Sequence, residues 1–259
     1  MPEIQFILDV RYAHSVTNYL WILPHPDDEV FGIPFLCEPE SKHVIFYMTN
    51  GESPREKESQ KLHSRSISNI EVSVNFEFAT CADGALSAYL NVNLVNTLLE
   101  KIKSEKIIPE AVISTANQGG HQDHDAANLL SMIIAQSLQI PLISLSTYSA
   151  SRKFFFGYRV MPSLMNSTTL KYRKTEVLSK MFFVILSYKS QFRTWLGLSL
   201  SIFTHYLFGK FRYQVHSQGD LFFPSAPPIL YEKRKKSSFS KEKDYLLAFM
   251  EECKVHGYF

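Results

Sequence analysis

Three features of this sequence predict an α/β fold. From Tyr19 to about Ser149, short apolar runs alternate with longer polar, helix-like segments. Two of those runs, Tyr19 to Leu23 and Val44 to Met48, are apolar throughout, as suits parallel strands buried on both faces. After about Ala150 the alternation gives way to aromatic-rich segments, Phe154-Phe155-Phe156 and Phe182 to Leu186. Together these features describe a Rossmann-like, mostly parallel sheet flanked by helices, with an aromatic-rich helical elaboration at the C-terminal end. The expected division is residues 1–150 for the α/β core and 151–259 for the elaboration.

Taken in order, the strands are Tyr19 to Leu23, Val44 to Met48, Val74 to Ala79 and Ala111 to Thr115, with Pro141 to Tyr148 as a fifth. Pro54 to Ile70, Asn91 to Lys106 and His124 to Gln136 fit the helices between them. In open α/β sheets ligands bind beyond the carboxyl ends of the strands, so the loops after the first and fourth strands are where chemistry is expected.

Composition narrows the classes. A chain of 259 residues suits one large domain or a domain with an elaboration, and 45% apolar with 20% charged residues is a globular mix. A net charge of +2 provides no global field for nucleic acid. Cys37, Cys81 and Cys253 are odd in number and lack CxxC spacing, which argues against a disulfide framework or a cysteine zinc site and for a reducing compartment. The start Met1-Pro2-Glu3 lacks the pattern of a secretory signal, so a cytoplasmic location is expected.

The apolar stretch Trp195 to Phe208 falls short of the roughly 20 residues that cross a bilayer. It is flanked by Arg193, Lys210 and Arg212, and Lys233-Arg234-Lys235-Lys236 with Lys241 and Lys243 follow downstream. One expectation is therefore an interfacial helix, with peripheral contact to the cytoplasmic membrane face through 195–212 and 233–243. The competing one is a buried helix followed by a solvated tail.

The loop after the first strand reads Pro24-His25-Pro26-Asp27-Asp28-Glu29. Catalytic zinc takes imidazole nitrogen and carboxylate oxygen from three protein ligands and keeps one position open, so His25 and Asp28 can supply two of them. The plain alternative is a solvated loop in which Asp27 or Asp28 caps a helix. The loop after the fourth strand, Gly119-Gly120-His121-Gln122-Asp123-His124-Asp125, offers His124 as a third ligand. Two His/Asp clusters after two separate strands would be a coincidence if neither bound anything.

These motifs resemble the LmbE/PIG-L family of zinc-dependent de-N-acetylases, and Thr49-Asn50-Gly51-Glu52, Arg55 with Glu58, and Asp83-Gly84 add to the likeness. Gln122 departs from it, since proline is frequent there. The resemblance implies one Zn²⁺ per chain, with Fe²⁺ the alternative metal, held by His25, Asp28 and His124. It implies Asp27 as general base and His121 as the group that stabilises or protonates the reacting amide. Asp123 would orient an imidazole from behind, although a helix N-cap just before His124 is its competing role. Arg55 and Asp83 would meet the substrate, with an Arg55–Glu58 pair along the helix as the alternative for Arg55. Tyr188-Lys189-Ser190-Gln191 with Trp195 is similar to a substrate-side segment of the family.

The implied reaction is hydrolysis of the acetamide of an N-acetylated amino sugar, free or carried on a glycolipid. The alternatives are an amidase acting on another amide, a silent metal-binding or glycan-binding protein, and a membrane-surface protein. Asp27 and His121 beside the ligands argue against silence, because binding alone needs no base.

Overall fold

The computed structural model describes residues 18–50, 52–64, 71–79, 81–117, 121–150, 158–160, 168–208, 211–216 and 239–258. Its strands are β1 Asn18–Leu23, β2 Lys42–Tyr47, β3 Glu71–Asn75, β4 Ala111–Thr115, β5 Leu142–Leu145, β6 Tyr148–Ala150, β7 Tyr158–Val160, β8 Thr168–Leu170 and β9 Phe211–His216. Its α-helices are α1 Ile33–Leu36, α2 Glu52–Ser64, α3 Leu86–Tyr89, α4 Val92–Ser104, α5 Gln122–Leu138, α6 Lys174–Ser187, α7 Phe192–Phe208 and α8 Phe239–Val255.

Seven strands form one sheet in the order β3-β2-β1-β4-β5-β9-β8, and β6 pairs with β7 in a separate hairpin. The first five are parallel, while β9 runs antiparallel to both β5 and β8. From β1 the chain steps outward to β2 and β3, then returns to the other side of β1 for β4 and β5. The order therefore reverses between β1 and β4, the place where an open sheet leaves a crevice at its carboxyl edge.

Successive side chains of a strand face opposite ways, and β1 feeds two cores accordingly. Tyr19, Trp21 and Leu23 join Phe31, Phe35, Met181, Trp195 and Tyr206 on one face. Leu20 and Ile22 join Leu98, Leu130, Ile133 and Phe249 on the other. With both faces covered, β1 must be apolar throughout, which is why its sequence shows no alternation. Helix α5 is buried from Asp123 to Ala135, so a helix beginning with charged residues runs directly into the core.

Two strands depart from expectation. β3 begins at Glu71, not Val74, and the residues after Asn75 turn, with the Ala79 N–H donating to the Phe76 carbonyl at 3.0 Å. Phe76 stacks on Tyr47 and Phe78 meets Phe46 edge-on, so those aromatics pack against β2 from a turn. The fifth apolar run divides into β5 and β6. Beyond residue 150, β8 and β9 add two strands to the main sheet; the alternation of Phe211, Tyr213 and Val215 is their signal, and it lies within a region read as helical.

The stretch Trp195 to Phe208 is the body of α7. Trp195, Leu198, Ile202 and Tyr206 bury one face, while Phe192, Leu200 and Phe208 are exposed. No described helix is long and apolar enough to cross a membrane. Gly51, Gly119, Gly120 and Lys233 to Lys236 lie outside the described residues.

Candidate active site

The chain leaves β1 through Pro24, whose carbonyl accepts both the backbone N–H and the hydroxyl of Thr49, at 2.9 and 2.8 Å. This clamp ties the following turn to the end of β2. Past it, the His25 backbone N–H donates to Asp28 Oδ2, and His25 Nδ1 lies 3.0 Å from the same oxygen. The other Asp28 oxygen lies 3.2 Å from His124 Nε2. One carboxylate therefore joins imidazoles from two loops. Asp27, between them, has φ of 113°, far from the usual regions for a non-glycine residue.

From the fourth loop, His121 caps α5. Its Nδ1 accepts the Asp123 N–H at 3.2 Å, which leaves Nε2 as the protonated nitrogen of the neutral ring, 3.5 Å from Asp83 Oδ1. Asp123 is not the cap. Fully buried in the first turn, it accepts the Gly84 and Leu86 N–H groups at 2.6 and 3.0 Å and lies 3.0 Å from His25 Nε2. Gly84 has φ of +84°, a conformation glycine adopts without strain, and its carbonyl accepts the Gln122 side-chain amide. Gln122, where the sequence leaves the family pattern, thus latches the Asp83-Gly84 turn to α5. His124 Nδ1 meets Thr147 Oγ1 at 3.1 Å.

His25, Asp27, Asp28, His121 and His124 line a cavity of about 410 Å³. Arg55 and Asp83 add polar lining, Phe31 and Tyr148 add aromatic lining, and Gln191 of the Lys189–Gln191 turn joins Thr194, Trp195 and Leu198 of α7 there. Arg55 Nη2 lies 2.5 Å from Asp83 Oδ2, and Nη1 lies 3.8 Å from Asp27 Oδ1. Glu58 instead accepts the Ser190 N–H at 3.0 Å and the Ser190 hydroxyl at 2.6 Å. The helical Arg55–Glu58 pair is therefore replaced by two pairings that each cross the fold.

The two neighbouring aspartates are driven apart electrostatically. Burial pushes the Asp27 carboxyl well above its ordinary range, and the Asp28 charge pushes it further against the pull of Arg55 and His25. Burial acts the same way on Asp28, yet His124 and His25 outweigh it and hold that carboxyl well below its usual range. The two adjacent carboxyls are thus shifted in opposite directions by what each one faces. Burial draws His25 down, but hydrogen bonds to Asp123, Asp28 and Asp83 raise it well above the usual imidazole value. His121 falls to about 3 through burial and the charges of His25 and His124.

The donor set fits a divalent metal. Imidazole nitrogens and carboxylate oxygens are the donors that zinc accepts, and Asp28 meets His25 Nδ1 at 3.0 Å through one oxygen and His124 Nε2 at 3.2 Å through the other. Donor atoms of His25, His121 and His124 lie within 4.8 Å of one another, as do those of His25, Asp83, His121 and Asp123.

All the residues singled out from sequence, His25, Asp27, Asp28, Arg55, Asp83, His121, Asp123 and His124, meet at this edge of the sheet. Unforeseen were Thr147 and Tyr148 after β5, although a third strand end at the same edge was a usable signal. Unforeseen too was a task for Glu29: it accepts the Asp27 N–H at 2.9 Å, the Tyr47 hydroxyl at 3.0 Å and the Tyr188 hydroxyl. Burial, then the Glu29 charge, pushes both phenols well above their ordinary value, so both remain donors.

Residues 20–135 match the PIG-L family model, described as GlcNAc-PI de-N-acetylase. No curated protein matches the chain in sequence. Among solved structures, a deacetylase–BOG complex from the biosynthesis pathway of teicoplanin is 16% identical, with a TM-score of 0.53 over 79% of this chain and 100% of that one. The zinc-inhibited form of teicoplanin deacetylase Orf2 is 15% identical, with the same TM-score and coverage. The A40926 pseudoaglycone deacetylase Dbv21 is 13% identical, with a TM-score of 0.50 over 79% of this chain and 99% of that one. At such identities the structural likeness is one of fold. The family model runs through both loops that build the cavity, so residues 20–135 of this chain are similar to the PIG-L family.

Proposed function

We propose that this protein is a metal-dependent de-N-acetylase that hydrolyses the acetamide of an N-acetylated amino sugar, releasing acetate and a free amine. The observation that carries the reading is the Asp28 carboxylate set between His25 and His124, with Asp27 beside it in the same cavity. His25, Asp28 and His124 would hold the ion, with Asp123 at 3.0 Å from His25 Nε2 fixing the ring so that Nδ1 is left for the metal. Nitrogen and carboxylate donors suit Zn²⁺, and Fe²⁺ also accepts them. When bound, zinc polarises the acetyl carbonyl and makes water nucleophilic near pH 7.

The remaining work belongs to the chain. Asp27, whose environment favours a bound proton, takes one from the attacking water and passes it to the departing amine nitrogen. His121, with Nδ1 committed to the Asp123 N–H, presents Nε2–H as a donor to the developing oxyanion. Arg55 and Asp83 meet the sugar hydroxyls, and Thr194, Trp195 and Leu198 of α7 complete the lining of the cavity. On this reading the segment after residue 150 finishes the substrate side of the 1–150 core.

The deacetylation reading draws on the family match and on the similar structures, a deacetylase of teicoplanin biosynthesis and the A40926 pseudoaglycone deacetylase. Mass spectrometry of metal-loaded protein with free, nucleotide-linked and lipid-linked N-acetylglucosamine tests it, and loss of one acetyl group is expected. A metal-loaded protein that leaves every compound intact would instead support a silent glycan-binding role. The exposed Phe192, Leu200 and Phe208 of α7 support peripheral contact with a membrane and an amphiphilic substrate. Salt-sensitive flotation with anionic liposomes is the matching test, and protein left wholly unbound at low salt would remove that part.

A further inference from the structure

Glu29 is fully buried, and among the described residues its one basic contact is His63, whose Nε2 lies 3.7 Å from Oε1. Burying a carboxylate without a close cation is costly, and an apolar residue of similar volume would fill the same space more cheaply. What Glu29 supplies is an acceptor at a fixed place. Oε2 accepts the backbone N–H of Asp27 at 2.9 Å and the Tyr47 hydroxyl at 3.0 Å, and Oε1 accepts the Tyr188 hydroxyl.

The N–H so held belongs to a residue under backbone strain. Glu40, Lys106 and Gln139 have φ between 54° and 65°, inside the ordinary left-handed well, whereas Asp27 stands at 113°. A conformation of that kind persists only where its surroundings over-determine it. Without the Glu29 acceptor, the peptide before Asp27 is free to rotate toward a relaxed conformation, and the carboxylate would leave its place between Arg55 and the metal ligands.

We propose that Glu29 is a positioning residue for Asp27. Its carboxylate, anchored by Tyr47 and Tyr188, locks the strained Asp27 peptide so that the base carboxylate stays in the cavity. Tyr188 immediately precedes the Lys189–Gln191 turn, whose Gln191 lines that cavity, so the tie also joins the C-terminal wall of the site to the base. The proposal rests on Asp27 being the base.

The test uses the full-length, metal-loaded protein. Glu29→Met removes the acceptor at similar volume, and Glu29→Gln keeps a carbonyl that can accept the Asp27 N–H. Glu29→Met is expected to lower kcat about 10-fold or more with KM and metal content within twofold of wild type, and Glu29→Gln to lose less than threefold. In an Asp27→Asn background Glu29→Met is expected to cause no further loss, because a residue acting through another is silent once that other is gone. An equal loss in both backgrounds, or a Gln variant as damaged as the Met variant, overturns the proposal. Should Glu29→Met not fold, Tyr47→Phe combined with Tyr188→Phe removes both anchors; a few-fold loss of kcat that vanishes in Asp27→Asn is expected, and an undiminished loss overturns it. Hydrogen exchange at the Asp27 amide reads the lock without turnover. Protection in wild type and Glu29→Gln and rapid exchange in Glu29→Met are expected even if Asp27→Asn proves fully active, which would sink only the base assignment. Equal exchange in all three overturns the positioning role.

Discussion

Two buried histidines, at opposite ends of the neighbouring strands β1 and β2, show how the same burial leads to opposite chemistry. His43, at the amino end, is 1% exposed, and His25, just past the carboxyl end, is 4% exposed. His43 Nδ1 accepts the Trp21 indole N–H at 3.0 Å, and Nε2 lies 2.7 Å from Ser41 Oγ, whose own hydroxyl donates to the Glu38 carbonyl. Both nitrogens are satisfied by neutral groups. Burial, with Lys180 nearby, lowers this imidazole to about 3 and keeps it neutral. His25 has carboxylates 3.0 Å from each nitrogen, so its surroundings call for positive charge. What the ring nitrogens face, rather than the depth of the ring, separates a histidine kept neutral from one drawn toward positive charge.

The comparison breaks most severely at the metal. His25→Ala, Asp28→Ala and His124→Ala are each expected to lose the bound ion and reduce turnover to background, because the Lewis-acid contribution of several kcal/mol goes with it. Elemental analysis alongside acetate release checks this, and full occupancy in all three would discard the ligand assignment. Next in size is Asp27→Asn, expected to keep the metal and lose about 10²-fold or more in kcat. A wild-type rate would show that the upward push on Asp27 serves no proton transfer.

At the other end of the sheet the expected effects fall on stability. The folded His43 value of about 3 lies below the unfolded value of about 6.5, so between those pH values the unfolded chain binds a proton that the folded chain refuses. Its contribution is therefore complete above pH 6.5 and is lost as pH falls toward 3. Urea unfolding at pH 7 and pH 4 should show wild type losing roughly 3 kcal/mol more than His43→Gln across that interval. Parallel losses would assign the proton elsewhere. The smallest effect expected is Ser41→Ala, which leaves His43 Nε2–H unpaired at a cost of about 1–3 kcal/mol, with kcat unchanged. A fall in kcat at constant metal content would show that the two ends of the sheet are coupled.

Much of the candidate site was legible because the residue types that suit metal chemistry are few and stand in short motifs at strand ends. His25, Asp28 and His124 stand out as chemistry regardless of packing, and the uninterrupted apolar runs announce strands covered on both faces. The pairing of Arg55 with Asp83 was not legible in the same way, since Glu58 lies one helical turn from Arg55 and offers an equally good local partner. The two charges take their partners from other parts of the chain, and local spacing carries no record of that.

The sequence by itself determined the parallel α/β core, the strand ends that form the candidate site and the residue types gathered there, because each is written in local periodicity or a local motif. Only the tertiary structure decided that β9 and β8 extend the sheet beyond β5, since strand pairing depends on which edge is free and not on the strand alone. It also decided the different surroundings of Asp27 and Asp28. Adjacent and chemically identical, they differ in that Asp28 lies against two imidazoles, while Asp27 is turned the other way by a strained backbone whose N–H a buried glutamate holds.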